Sequence, residues 1–244
     1  MTRFRVVAFL TVLTVMALWL DLPRPVAVAN LVIGGAIGGV LIFVGLAAAG
    51  RFAKGAPLIQ ALTEGRRPEA GVYWRLPKAA LVGLLVGGLL LIVLVFVLVP
   101  LEPALGARLQ SRAGAPLWMP LVLAVESSIL EEVFFRLFLL SAVAWVVGRA
   151  WREGSIERPS GAFWVALWVS ALAFGLAHVP SWQAAVTPTP VVIGTVLLLN
   201  GVAGIVLGQV YWRWGIEAVI ACHFAADLMV QGVGPRLLSL VVTT

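Results

Sequence analysis

WMPLVLAVESSILEEVFFRLFLLSAVAWVV, residues 118–147, decides how this chain is read. Apolar side chains fill the stretch, yet Glu126, Glu131, Glu132 and Arg136 lie inside it. A helix needs roughly 20 residues to cross a bilayer, so the run is long enough to span one. A charge at the bilayer centre costs about 3 kcal/mol on insertion scales, so such residues line a bundle interior and have work to do there. Two more apolar runs carry ionisable groups: one ends at His178, and another contains His223 and Asp227. Those are the only two histidines in the chain. Carboxylate and imidazole are the principal general acids and bases, and together they point to buried hydrolytic chemistry.

Working outward, 61% of the residues are hydrophobic and 11% charged, with mean hydropathy +1.05. A soluble domain carries roughly 25% charged residues. The fold class is therefore an all-α integral membrane protein, a polytopic bundle with a polar cavity. The apolar runs are approximately Val6–Leu20, Val26–Ala49, Ala79–Leu101, Trp118–Val147, Ala162–His178, Val191–Tyr211 and Ile216–Val233. That gives about seven transmembrane helices, or eight if the apolar tail Leu237–Val242 belongs to another. Barrel strands would be shorter and alternate in polarity. Trp19, Trp118, Trp145, Trp164, Trp212 and Trp214 fall near run ends, as in an interfacial belt. Three parts follow: residues 1–116 hold helices without motifs, 117–233 the motif-bearing core, and 234–244 the tail.

The net charge of +6 does not imply nucleic acid, because the basic residues gather in loops. With the amino terminus inside, the inner segments hold Arg3 and Arg5, six from Arg51 to Lys78, three from Arg149 to Arg158, and Arg213. The outer ones hold Arg24, Arg108, Arg112 and Arg236. This asymmetry sets the amino terminus inside. Ala27-Val28-Ala29 resembles a cleavage site after Val6–Leu20, but Pro23 and Pro25 intervene and a second apolar run follows at once. We read Val6–Leu20 as a retained span. Gly83, Gly87 and Gly88, and Gly204 with Gly208, form small-residue contact faces. The lone Cys222 sits in an apolar run and reads as packing.

On a helix, Glu132 and Arg136 are four residues apart in the favourable order, an intramembrane ion pair. Adjacent Glu131 points about 100° away and is free to face another helix. A carboxylate taken out of water is a better proton acceptor, which makes it a candidate general base. Glu126 reads as a secondary polar residue on a different face, near an entrance. His223 and Asp227 share a face, so the Asp can orient the imidazole. His178 follows Phe174 by one turn.

Glu-Glu-x-x-x-Arg at 131–136, Phe-x-x-x-His at 174–178 and His-x-x-x-Asp at 223–227, in that order on separate apolar segments, resemble the CPBP family of intramembrane proteases (CAAX protease and bacteriocin-processing, also called Abi). Gly204 to Gly208 and Gly215-Ile-Glu-Ala resemble it too. The resemblance covers roughly residues 117–233. The last motif often ends in Asn in that family, where this chain has Asp227.

The resemblance implies peptide-bond hydrolysis within the membrane. Glu131 would activate water, His178 would share or orient that water, and His223 would stabilise the oxyanion. Asp227 would be protonated or would orient His223, while Glu132, Arg136 and Phe174 would support the site. No cofactor is required on this reading. A divalent metal such as zinc is the alternative, with Glu131, His178, His223 and Asp227 as ligands, although the His-Glu-x-x-His signal is absent. The implied substrate is a membrane-associated or lipidated peptide, met among membrane lipids in a bacterial cytoplasmic membrane. Two other classes stay open: a non-enzymatic immunity or peptide-binding membrane protein, and a proton-coupled transporter.

Overall fold

The structure, a computed structural model, describes residues 2–21, 28–50, 52–153 and 159–242. Pro23, Arg24, Pro25, Ala27, Arg51 and Arg158, used above for topology and the cleavage-site reading, lie outside the described residues. Among the described residues there are helices and turns and no strand. The helices are α1 (Thr2–Asp21), α2 (Val28–Ala49), α3 (Pro57–Thr63), α4 (Val72–Val93), α5 (Val99–Leu101), α6 (Pro103–Gln110), α7 (Trp118–Glu131), α8 (Ser141–Trp151), α9 (Gly161–Gln183), α10 (Pro190–Trp214), α11 (Ile216–Asp227) and α12 (Gly234–Val242). Three π-helical segments join some of them end to end: π1 (Leu94–Leu98), π2 (Glu132–Leu140) and π3 (Leu228–Val233).

Six helical runs among the described residues are long and apolar enough to cross a membrane: Arg3–Leu20, Ala29–Ala49, Val72–Leu101, Gly161–Gln183, Pro190–Trp214 and Ile216–Leu240. The run α7–π2–α8 is not among them. It is nonetheless continuous helix over residues 118–151, about 50 Å at 1.5 Å per residue, and it carries the Glu pair. The chain is a polytopic helical membrane protein. The tail starts no further helix, because α12 continues α11 and π3.

The bundle has two distinguishable ends. At one, Arg5 donates to the Thr63 carbonyl (3.1 Å), the Ile59 N–H donates to Glu217 Oε1 (2.8 Å), and the Ile216 N–H donates to the Gly55 carbonyl (2.8 Å). The amino terminus, α3 and the start of α11 therefore meet there. At the other end Arg108 of α6 donates to the Ser181 carbonyl (2.5 Å), Thr189 Oγ1 donates to Glu102 (2.7 Å), and Arg236 donates to the Ala115 carbonyl (2.9 Å). There α6 joins the end of α9, the start of α10 and the last helix.

Three sequence expectations shift. Helix α4 begins at Val72 rather than Ala79, with Pro77 in its second turn, where one lost hydrogen bond is tolerable at a helix end. Helix α9 runs past His178 and Pro180 to Gln183, because Arg108 stacks 4.3 Å from the Trp182 ring and bonds Ser181, docking the last turn onto α6. Trp212 does not join a belt: it is buried, with its ring 5.4 Å from that of Phe163.

Close approach fixes the site-bearing helices. A Cβ on Gly83 would stand 2.0 Å from the Cys222 carbonyl oxygen, and one on Gly87 would stand 2.7 Å from that of Ala226. Helix α4 thus lies backbone to backbone against α11, which carries His223 and Asp227. A Cβ on Gly204 would similarly meet the Ala171 backbone at 2.9 Å, locking α10 to α9. Both small-residue faces read from sequence are contact surfaces.

Candidate active site

Three buried groups form the foundation. Glu132 and Arg136 are fully buried, with Oε1 3.1 Å from Nη1, and the expected ion pair exists. The same oxygen lies 2.7 Å from His223 Nδ1. With His223 as the donor from Nδ1–H to this oxygen, Nε2 is the nitrogen turned toward the cavity. The Phe174 ring lies 4.2 Å below the Arg136 guanidinium, 4.6 Å from the His178 ring and 5.8 Å from the His223 ring. One aromatic side chain therefore packs against the buried cation and both imidazoles.

Above this layer stands Glu131, the last residue of α7. Its Oε1 is 3.7 Å from His178 Nε2, and its Oε2 is 3.7 Å from His223 Nε2. His178 donates Nδ1–H to the Phe174 carbonyl (2.8 Å), since a carbonyl can only accept. Its Nε2 is consequently the atom presented to Glu131. Asp227 Oδ1 is 3.7 Å from His223 Nε2, and Oδ2 accepts from Ser127 Oγ at 2.5 Å. The structure thus brings Glu131, His178, His223 and Asp227 to one spot, with Glu132, Arg136 and Phe174 beneath them. His178 and His223, on different helices, both reach Glu131.

Glu131, Phe174, His178, His223 and Asp227 line a cavity of about 460 Å³, within the range of small-molecule sites. Glu126 lines it as well. Sequence reasoning missed three features. Glu132, not Asp227, holds His223 Nδ1; Ser127 holds Asp227; and Asn200, Arg108 and Trp182 belong to the cavity wall. The first two contacts join positions 91 and 100 residues apart, which helical periodicity cannot reveal. Outside the spans, burial and the neighbouring charge of Arg112 lower the Arg108 pKa from its ordinary value. Among the described residues, no three His, Cys, Asp or Glu side chains are grouped as a metal ion requires. Glu131 stands 3.7 Å from each Nε2, and Nδ1 of each imidazole is held by a protein oxygen, an arrangement that metal-binding histidines share.

A family model described as type II CAAX prenyl endopeptidase Rce1-like matches residues 113–229. Residues 113–229 thus form a domain of the CPBP family. All three motifs fall inside the matched stretch. Comparison with curated proteins and with solved structures gave no match. CPBP membership supports intramembrane proteolysis as the general activity.

Proposed function

We propose that this CPBP protein is an endopeptidase that cleaves a peptide bond in a membrane-associated substrate using water activated by Glu131. The observation that carries this reading is the 3.7 Å approach of Glu131 to both His178 and His223. That spacing is too long for a direct hydrogen bond and short enough for one oxygen to bridge. A water bound between Glu131 and His178 Nε2 would give one hydrogen bond to each. Glu131 takes its proton as the oxygen attacks the scissile carbonyl, and the carbonyl oxygen becomes an oxyanion. Protonated His223 then aims Nε2–H at that oxyanion, with Glu132 holding the other side of the ring. Donors placed this way are worth about 3–4 kcal/mol each. Glu131 afterwards returns its proton to the leaving nitrogen. An ionised Asp227 would repel the oxyanion, so it acts protonated or by orienting His223.

No step runs through a metal. The protein works in a bacterial cytoplasmic membrane with its amino terminus inside, on lipidated or otherwise hydrophobic peptides. Reconstituted protein should generate new termini, read by mass spectrometry, from a membrane-anchored peptide library. Activity should survive thorough chelation with metal analysis. Peptide binding without cleavage would overturn the enzymatic reading, and activity restored only by added metal would overturn the metal-free one.

A further inference from the structure

The cavity is not centred between the two ends of the bundle. From Glu131 its wall leads along α9 to Ser181 and Trp182, along the last helix to Gln231 and Pro235, and out to Arg108 and Arg112 of the α6 region. Those residues belong to the end where α6, the end of α9 and the last helix meet. Glu131 lies about 20 Å from that end of its helix, 13 residues at 1.5 Å each. Toward the opposite end the wall stops at Gly83 and Cys222. Beyond them the backbone contact of α4 with α11 closes the path, since even a methyl group at Gly83 would strike the Cys222 carbonyl. Further along, residues 55–59 bond to the start of α11 through Ile216 and Glu217. The cavity is open at one end and shut at the other.

The open end is the arginine-poor one. Arg108, Arg112 and Arg236 are its described cations, whereas Arg3, Arg5, Lys54, Arg66, Arg67, Arg75, Lys78, Arg149, Arg152 and Arg213 gather at the closed end. Lys and Arg accumulate on the cytoplasmic side of short loops. We infer that the catalytic cavity admits substrate from the extracytoplasmic face. The substrate class is then a segment of an exported peptide or membrane protein lying just outside the bilayer, not a tail presented from the cytoplasm. The substrate class rests on the protease reading; the direction of opening rests only on where the cavity lies.

The test separates the two. In full-length protein with Cys222→Ala, single cysteines are introduced as Asn200→Cys in the cavity wall and Arg67→Cys at the closed end. Each is exposed to a membrane-impermeant maleimide in right-side-out and in inside-out vesicles. Asn200→Cys should react in right-side-out vesicles and Arg67→Cys only in inside-out ones. Labelling of Asn200→Cys solely in inside-out vesicles, or in neither, would overturn the inference, as would reaction of both from one side. Ala203→Cys, in the same wall, serves if Asn200→Cys fails to insert. Labelling needs no turnover, so a protein inactive against every peptide would still report which face the cavity meets.

Discussion

Glu132 Oε1 serves two partners at once, Arg136 at 3.1 Å and His223 at 2.7 Å, with no water-exposed surface on the Glu132 or Arg136 side chain. Removing one member of a buried ion pair costs about 3–5 kcal/mol, because the other charge is left without compensation. Glu132→Gln keeps the shape and deletes the charge, so its thermal midpoint in detergent should fall by about 10 °C, at 2–4 °C per kcal/mol for a chain of this size. An unchanged midpoint would contradict the role given to the pair. Asp227 invites a finer comparison. Asparagine would still accept the Ser127 hydrogen bond and would offer an N–H toward the oxyanion, so Asp227→Asn should retain cleavage within about tenfold. Asp227→Ala, which loses both, should cut kcat about 100-fold. Equal kcat for the two variants would remove Asp227 from the chemistry. At this scale the sequence was informative where charge and spacing sufficed: Glu131, Glu132, Arg136, His178, His223 and Asp227 stand out because ionisable groups are costly in lipid. It was silent on Ser127, since serines in spanning helices ordinarily bond their own helix, as Ser128 does to the Val125 carbonyl.

Between elements, position is set by glycines and by π-helical segments. Gly83→Ala should push α4 from α11 and cost about 1–3 kcal/mol of stability by overpacking, displacing His223 and lowering cleavage. Gly88→Ala is the internal control: the nearest atom to its Cβ would be the flexible end of Met229 at 3.6 Å, an ordinary contact. Comparable loss of activity at both positions would show that the α4–α11 approach is not what Gly83 protects. Apolar run length identified the helices but misjudged where two of them end. The runs Ala79–Leu101 and Ala162–His178 stop short of Pro77 and Pro180, yet α4 and α9 include both prolines. Nor does sequence announce π2, whose wider turn carries both Glu132 and Arg136; such segments are rare and recur at functional sites.

For the whole molecule, the division into a motif-free amino-terminal part and a catalytic core does not extend to the packing. Gly83, Val86 and Leu90 of α4 form part of the cavity wall, and a Cβ on Gly45 of α2 would lie 2.4 Å from the Leu137 carbonyl oxygen in π2. A chain cut to residues 113–242 should insert but lack activity, and co-expression with residues 1–112 should restore some of it. An active short chain would show that the first helices are dispensable. The helical bundle was legible because the apolar runs are long enough to span a bilayer. The convergence of three distant motifs on Glu131 was not, because it depends on how α7, α9 and α11 cross. Glu131, where the motifs converge, is probed by Glu131→Gln. At matched membrane levels, peptide cleavage should fall by about 1000-fold or more with normal insertion and thermal stability. Cleavage at near wild-type rate would show that Glu131 is not the base.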